Sequence, residues 1–291
     1  MRRFNVTGLC VANKHYMVDI SGKLKQIMGL IEGGSYFTIN RARQYGKTTT
    51  LRMIKHALAD EYTCISLSFE GVGDAMFESP ALFCQRFLLR VSKALEKTDK
   101  DFAGQWLDGS VTDFDLLEYH LDKLCMSRKI VLMIDEVDQA SNNRVFLNFI
   151  GMLRNKYLTR EDEGVNTFHS VILAGVYNSP WNIAADFEVD MSFSPEEIAT
   201  MLLQYEKDCS TAMDIASLSR EIHSYTGGYP FLVSRICQCI DEELGRDWTP
   251  NGIHKAVQIV KKEENTLLDD LFKNLENDKK LYSLIYDVLI V

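Results

Sequence analysis

Two spacings of apolar residues alternate along this chain, and they divide it into helices and strands. Residues 23–31 (KLKQIMGLI) carry apolar side chains at helical spacing and stop at Gly33 and Gly34, which suit a helix end. Residues 36–39 (YFTI) follow as a short strand of aromatic and β-branched residues. Leu51, Ile54 and Leu58 then fall at i, i+3 and i+7, predicting a helix over 47–59. The stretch 63–69 (TCISLSF) alternates apolar and polar as a strand does, and helical patterns occupy roughly 80–97 and 112–126.

The run 129–134 (KIVLMI) is almost wholly apolar, which predicts a strand buried on both faces of a parallel sheet. A helix over 145–157 comes next, then a second buried strand at 170–175 (SVILAG) and a fifth strand at 187–191. Strands alternating with helices predict an α/β fold with helices on both sides of a parallel sheet. After residue 192 only helical patterns remain, out to about residue 280. They open with Ser194-Pro195-Glu196-Glu197, which offers a capping serine, a proline at the first helical position and a glutamate at the third. One break interrupts them, at Tyr225-Thr226-Gly227-Gly228-Tyr229-Pro230. The expected division is an α/β core over 1–191 and an all-helical lid over 192–291.

A length of 291 residues accommodates one large domain and a smaller second one. The 46% apolar and 25% charged fractions are globular values and exclude a disordered or fibrous chain. No apolar run approaches the roughly 20 residues that a membrane-spanning helix needs. The N-terminal Met-Arg-Arg-Phe-Asn-Val has charge without an apolar stretch behind it, unlike a signal peptide. The seven cysteines form no C-x-x-C pair and read as core thiols of a reducing compartment, so a cytoplasmic protein without membrane contact is expected. The six histidines show no ligand spacing. A net charge of −9 disfavours a broad electrostatic grip on nucleic acid and leaves a local basic patch open. The apolar closing run 286–291 (YDVLIV) carries no stop signal, which suggests truncation before a further domain.

Candidate chemistry concentrates between the first strand and the helix after it. Ile39-Asn40-Arg41-Ala42-Arg43-Gln44-Tyr45-Gly46-Lys47-Thr48-Thr49 runs from strand through loop into helix, the arrangement a phosphate cradle requires. Backbone N–H groups at a helix start point at the anion and the helix dipole adds to the attraction. Lys47 is placed to bridge the β- and γ-phosphates of ATP, the Thr48 hydroxyl to ligate Mg²⁺, and Gly46 to let the backbone come close. The usual pattern is G-x-x-x-x-G-K-[ST], and Arg41 stands where its first glycine belongs. The second half of the signal is Asp135-Glu136 at the end of the apolar strand, where an acidic pair is costly unless a cation or ligand meets it. Asp135 would orient the Mg²⁺ shell and Glu136 activate the attacking water.

The chain resembles the AAA-like and STAND-related P-loop ATPases of bacteria and archaea, whose P-loops often read R-x-R-Q-x-G-K-[ST]. Arg41-Ala42-Arg43-Gln44-Tyr45-Gly46-Lys47-Thr48 matches that variant. The resemblance extends to Tyr16-Met17-Val18-Asp19, Ile134-Asp135-Glu136-Val137-Asp138, Ser170-Val171-Ile172-Leu173-Ala174-Gly175 and Gly227-Gly228-Tyr229-Pro230-Phe231-Leu232. The resemblance implies an additional-strand sheet of order 5-1-4-3-2 and a nucleotide held by Arg43, Gln44, Tyr45, Gly46, Lys47, Thr48 and Thr49. It also implies that Pro230 approaches the adenine and Asn178 senses the γ-phosphate. Arg235 is a candidate second sensor, and Arg154 and Arg160 are candidate fingers toward a neighbouring subunit. Relatives often continue into a winged helix. The expected function is a Mg²⁺-dependent ATPase working as a switch or motor, with possible self-association and an unknown protein partner. The alternative is a nucleotide-binding regulator with negligible turnover; a small-molecule kinase has less need of Glu136.

Overall fold

Four strands form the sheet of the computed structural model, which describes residues 2–40, 44–140, 143–161, 164–175 and 190–263. They are β1 (Tyr36–Asn40), β2 (Thr63–Ser68), β3 (Ile130–Asp135) and β4 (Ser170–Gly175). All pairings are parallel and the order is β1-β4-β3-β2. That is the expected order without its fifth strand; residues 187–189 of that strand lie outside the described residues. Every residue of β3 and β4 is buried, so the apolar runs that marked them reflect cover on both faces.

The cover comes from α1 (Ser21–Glu32), α2 (Lys47–Ala57), α3 (Pro80–Leu95), α4 (Lys100–Gln105), α5 (Phe114–Cys125) and α6 (Arg144–Thr159). Phe83 and Phe87 of α3 meet Phe149 of α6 at ring distances of 5.0 and 4.9 Å, and Phe146 reaches Phe69 beyond β2 at 5.5 Å. The sequence pattern did not reveal α4. It is a single turn and a half that contains Gly104, and it is held by the Asp99 side chain, which accepts from the Phe102 amide at 3.0 Å. What fixes it is burial of Phe102 and Trp106, the latter stacked on Phe168.

A second compact unit comprises α7 (Pro195–Cys209), α8 (Ile215–Thr226), α9 (Pro230–Glu242) and α10 (Pro250–Lys262). The start of α7 is the capping box expected from sequence: the Glu197 amide donates to Ser194 Oγ at 3.2 Å, and the Ser194 amide donates to Glu197 Oε2 at 2.8 Å. The first nineteen residues group with this helical unit, not with the sheet as the division at 191 expected. Their anchor is aromatic. Phe4 stacks on Tyr205 at 5.2 Å and meets Tyr16 at 5.0 Å and Trp248 at 6.0 Å. Polar contacts continue it: Arg2 forks onto Asp208, Gln204 Nε2 donates to the Met17 carbonyl at 2.6 Å, and the Asp19 amide donates to Thr200 Oγ1 at 2.8 Å.

The glycine pair between α8 and α9 has a packing reason. Gly227 (φ 57°) ends α8 in the left-handed region, and Gly228 (φ 74°) lies directly against Phe193, whose amide donates to the Gly228 carbonyl at 2.8 Å. A Cβ on Gly228 would stand 2.1 Å from the Phe193 carbonyl oxygen, whereas one on Gly227 would meet nothing within 4 Å. Among the described residues no helix is long and apolar enough to cross a membrane. Replacement of the two glycines should therefore separate strain from clash. Gly227→Ala is expected to lose about 1 kcal/mol, the left-handed penalty alone, and Gly228→Ala at least about 2–3 kcal/mol. Urea titrations of both variants against the parent check the ranking; equal losses would mean that the Phe193 contact does not constrain the turn.

Candidate functional site

Because the four strands are parallel, their carboxyl ends share one edge, where open α/β sheets receive ligands. Pairing sets the depth of each end: Asn40 lies opposite Gly175, and Ser68 opposite Asp135. The loop after β1 and the acidic residue closing β3 are thereby brought to the same edge, with β4 between their strands.

Two unusual backbone positions form the approach to α2. Gln44 (φ 60°) and Gly46 (φ 75°) are both left-handed, on either side of Tyr45. Gly46 is the N-cap and makes no side-chain cap, and the first turn of α2 holds no acidic residue. Seven helices are capped by a side-chain oxygen, from Ser79, Asp99, Asp113, Asn143, Ser194, Asp214 and Thr249, whereas α1 and α9 share with α2 the lack of such a cap. An amino end built without an internal acceptor suits an external anion. Lys47 opens the helix and is only 5% exposed, so an ammonium charge is held close to that end in poor solvent.

Asp135, 6% exposed, receives two donors. The Thr48 hydroxyl donates to its Oδ2 at 2.7 Å, and the Glu136 amide donates to its Oδ1 at 3.0 Å. These bonds hold the carboxylate at the strand end, and a charge-assisted bond of this kind is worth about 1.5–3 kcal/mol. Thr48 and Asp135 together offer the oxygen donors a hard cation prefers, and Lys47 and the uncapped helix offer what phosphates prefer. The residues fit Mg²⁺ and a nucleoside triphosphate. Oxygens of the nucleotide's phosphates and of water would complete the shell of a bound Mg²⁺.

Glu136 is half-buried with a left-handed backbone (φ 56°), strained for a residue with a long side chain. Its pKa is raised, first by burial, then by the charges of Asp138 and Asp135, with Glu70 adding to them and Lys47 opposing. Asp138 and Glu70 were not recognised as part of this environment from sequence. Asp138 is brought in by a short 3-10 turn, Val137–Ala140, that packs against the end of β4. A Cβ on Gly175 would stand 3.0 Å from Val137 Cγ2 and 3.2 Å from Asp138 Oδ1, which explains the glycine ending that strand.

The remaining candidates separate. Thr49 follows Thr48 in the first turn of α2. Arg43 and Asn178 lie outside the described residues. Pro230 is buried at the first position of α9. Arg235 is engaged by Glu243 at 2.7 Å and by both oxygens of Glu263. Arg160 donates to the Gly34 carbonyl at 2.7 Å and lies over the Tyr157 ring at 4.4 Å, at the amino-terminal edge of the sheet, away from Asp135. Arg154 is exposed on α6. All seven cysteines are free thiols, with Cys84, Cys125, Cys237 and Cys239 buried.

Comparison with known proteins bears on the family and the fold. The family described as AAA-like domain matches residues 9–290. The fold is similar to that of a Walker-type ATPase of Pyrococcus abyssi, with a TM-score of 0.60 at 12% identity, covering 94% of this chain and 79% of that one. The RuvB Holliday junction branch migration motor of Thermotoga maritima aligns at a TM-score of 0.44 and 12% identity over 83% of this chain and 70% of its own, too distant to add to the argument. In sequence, an uncharacterized WD repeat-containing protein of Synechocystis is 22% identical over 238 residues. That match covers 76% of this chain and 20% of the relative, so the chain spans about a fifth of that protein's length.

The Glu136 environment has a consequence for stability. A carboxyl whose folded pKa is raised is harder to ionise in the native state than in the unfolded chain. Below the ordinary glutamate range it is protonated in both states and costs nothing. As pH rises from the ordinary glutamate value to the raised folded-state value, the unfolded chain ionises first and the fold loses stability, the whole loss being present above the folded-state value. Glu136→Gln removes that burden. The variant is expected to melt above the parent at neutral pH, with a difference that shrinks as pH falls toward the ordinary glutamate value. Thermal unfolding across that range checks it, and a difference independent of pH would assign the effect to packing.

Proposed function

The chain belongs to the AAA-like domain family, and on that premise we propose that it binds ATP with Mg²⁺ and hydrolyses it to ADP and phosphate. The observation that carries this reading is the Thr48–Asp135 hydrogen bond at 2.7 Å. It joins a hydroxyl in the first turn of an uncapped helix to a carboxylate from a strand distant in sequence, next to a nearly buried lysine.

Lys47 and the amides opening α2 bind phosphate oxygens, and Gly46 keeps the approach to them open. Thr48 and Asp135 would hold Mg²⁺, which supplies positive charge against the phosphate oxygens as the terminal bond breaks. Glu136 accepts a proton from the attacking water. Burial and the surrounding carboxylates raise its pKa, which brings its basicity closer to what general-base catalysis at neutral pH wants. Turnover of this kind makes the protein a nucleotide-driven switch or motor module.

Two substitutions test the assignment. Lys47→Ala is expected to abolish ATP binding by calorimetry while circular dichroism stays that of the parent; unchanged affinity would remove Lys47 from the site. Glu136→Gln is expected to keep ATP affinity and lose phosphate release by about 100-fold or more, the usual contribution of a general base. Hydrolysis at the parent rate would place the base elsewhere. A parent that binds ATP but releases no phosphate over many turnovers would be a nucleotide-gated docking module instead.

A further inference from the structure

Glu136 stands at a joint between two fixed neighbours. On one side, Asp135 closes β3: it is buried, it pairs with Ser68 of β2, and its carboxylate accepts from the Thr48 hydroxyl at 2.7 Å. On the other side, Val137 opens the 3-10 turn Val137–Ala140, and both ends of that turn are buried. Between them Glu136 holds a left-handed backbone (φ 56°). A residue with a long side chain keeps such a conformation where its surroundings over-determine it.

Those surroundings include the end of β4. A Cβ on Gly175 would stand 3.0 Å from Val137 Cγ2, 3.2 Å from Asp138 Oδ1 and 3.7 Å from the Asp138 amide nitrogen. The backbone of Gly175 is not in the left-handed region, so its missing side chain serves this contact and not a special dihedral. Carbon atoms pack at about 3.5–4.0 Å, so an added methyl would have to press Val137 away by roughly half an ångström. The strand has little freedom to yield. It lies between β1 and β3, Gly175 pairs with Asn40, and every residue of β4 is buried. Val137 cannot easily turn aside either, because a β-branched side chain enclosed in the core has few rotamers to choose from.

The displacement would therefore fall on the turn and be absorbed at the joint. With Asp135 held by the sheet and by Thr48, a shift of Val137 rotates the backbone of Glu136 and swings its side chain. We propose that Gly175 is a positioning residue: its bare Cα lets the Val137–Ala140 turn sit against the end of β4 and so fixes the direction of the Glu136 carboxylate. The consequence for turnover rests on the ATP hydrolysis proposed above; the placing of Glu136 does not.

Two measurements let each claim fail separately. The first follows the amide resonances of Glu136 and Asp138 by NMR in the nucleotide-free chain, for the parent, Gly175→Ala, Val137→Ala and the double variant Gly175→Ala/Val137→Ala. Gly175→Ala should shift both resonances. The double variant should return them to where Val137→Ala alone puts them, because loss of Cγ2 makes room for the new methyl. Unshifted resonances in Gly175→Ala, or a double variant still displaced from Val137→Ala, would overturn the positioning role. So would failure of Gly175→Ala to fold, since the contact would then serve the fold as a whole. The second measurement is ATP turnover and affinity. Gly175→Ala should release phosphate about tenfold or more slowly at parent affinity, the scale set by misplacing a reacting group by a fraction of an ångström. The double variant should turn over as Val137→Ala alone does. Parent turnover in Gly175→Ala, or a matching loss of ATP affinity, would show that the contact does not govern the acid. A parent that releases no phosphate would refute the proposed function and leave the resonances to decide the placing of Glu136.

Discussion

A parallel sheet covered on both faces can place its polar chemistry only where its strands end, and the Thr48–Asp135 hydrogen bond is the interaction that organises this end. β3 is buried along its whole length, so Asp135 is the first residue at which a charge can be carried. A carboxylate there is 6% exposed and needs donors. It obtains them from the hydroxyl opening α2 and from the next amide in the chain. The same bond ties the start of the helix to the sheet edge, so that the uncapped amino end, the lysine and the acid share one locality. Removing any of these elements would leave another of them buried without a purpose.

The surroundings of that bond are held in conformations that an unconstrained chain would leave. Gln44, Gly46 and Glu136 all have left-handed backbone, and for Glu136 the strain is compounded by a charge among other carboxylates. Such positions survive because neighbouring contacts offer no alternative. The end of β4 illustrates this: Gly175 is small because the turn carrying Val137 and Asp138 presses against it. The acidity around Glu136 thus follows from how tightly that turn packs, as much as from the residues in it.

In the helical unit the organising contacts are aromatic and steric. The N-terminal segment is secured by Phe4 among Tyr16, Tyr205 and Trp248 and by Arg2 on Asp208. The Gly227–Gly228 turn is set by the backbone of Phe193. A glycine pair ahead of a proline is thereby explained by packing within its own unit. Arg235 is likewise occupied by two glutamates of its own unit, and Arg160 by a carbonyl at the far edge of the sheet. A positive charge at a suggestive position in sequence acquires a role only when its local partners are known.

The sequence by itself determined the elements whose signal is local. Apolar runs marked β3 and β4, because a strand buried on both faces admits few polar residues. Ser194-Pro195-Glu196-Glu197 marked α7, because capping is settled within one turn. Gly46-Lys47-Thr48 and Asp135-Glu136 marked the two halves of the candidate site, because a loop opening into a helix and an acidic pair closing an apolar run are patterns of neighbouring residues. The tertiary structure decided what depends on contacts between distant residues. It joined Thr48 to Asp135, placed Asp138 and Glu70 around Glu136, and grouped the first nineteen residues with the helices. It also stabilised α4, whose short glycine-containing stretch has little helical tendency without burial of Phe102 and Trp106. Local propensity acts over one turn of chain, whereas these arrangements draw their energy from surfaces that meet only once the chain has folded.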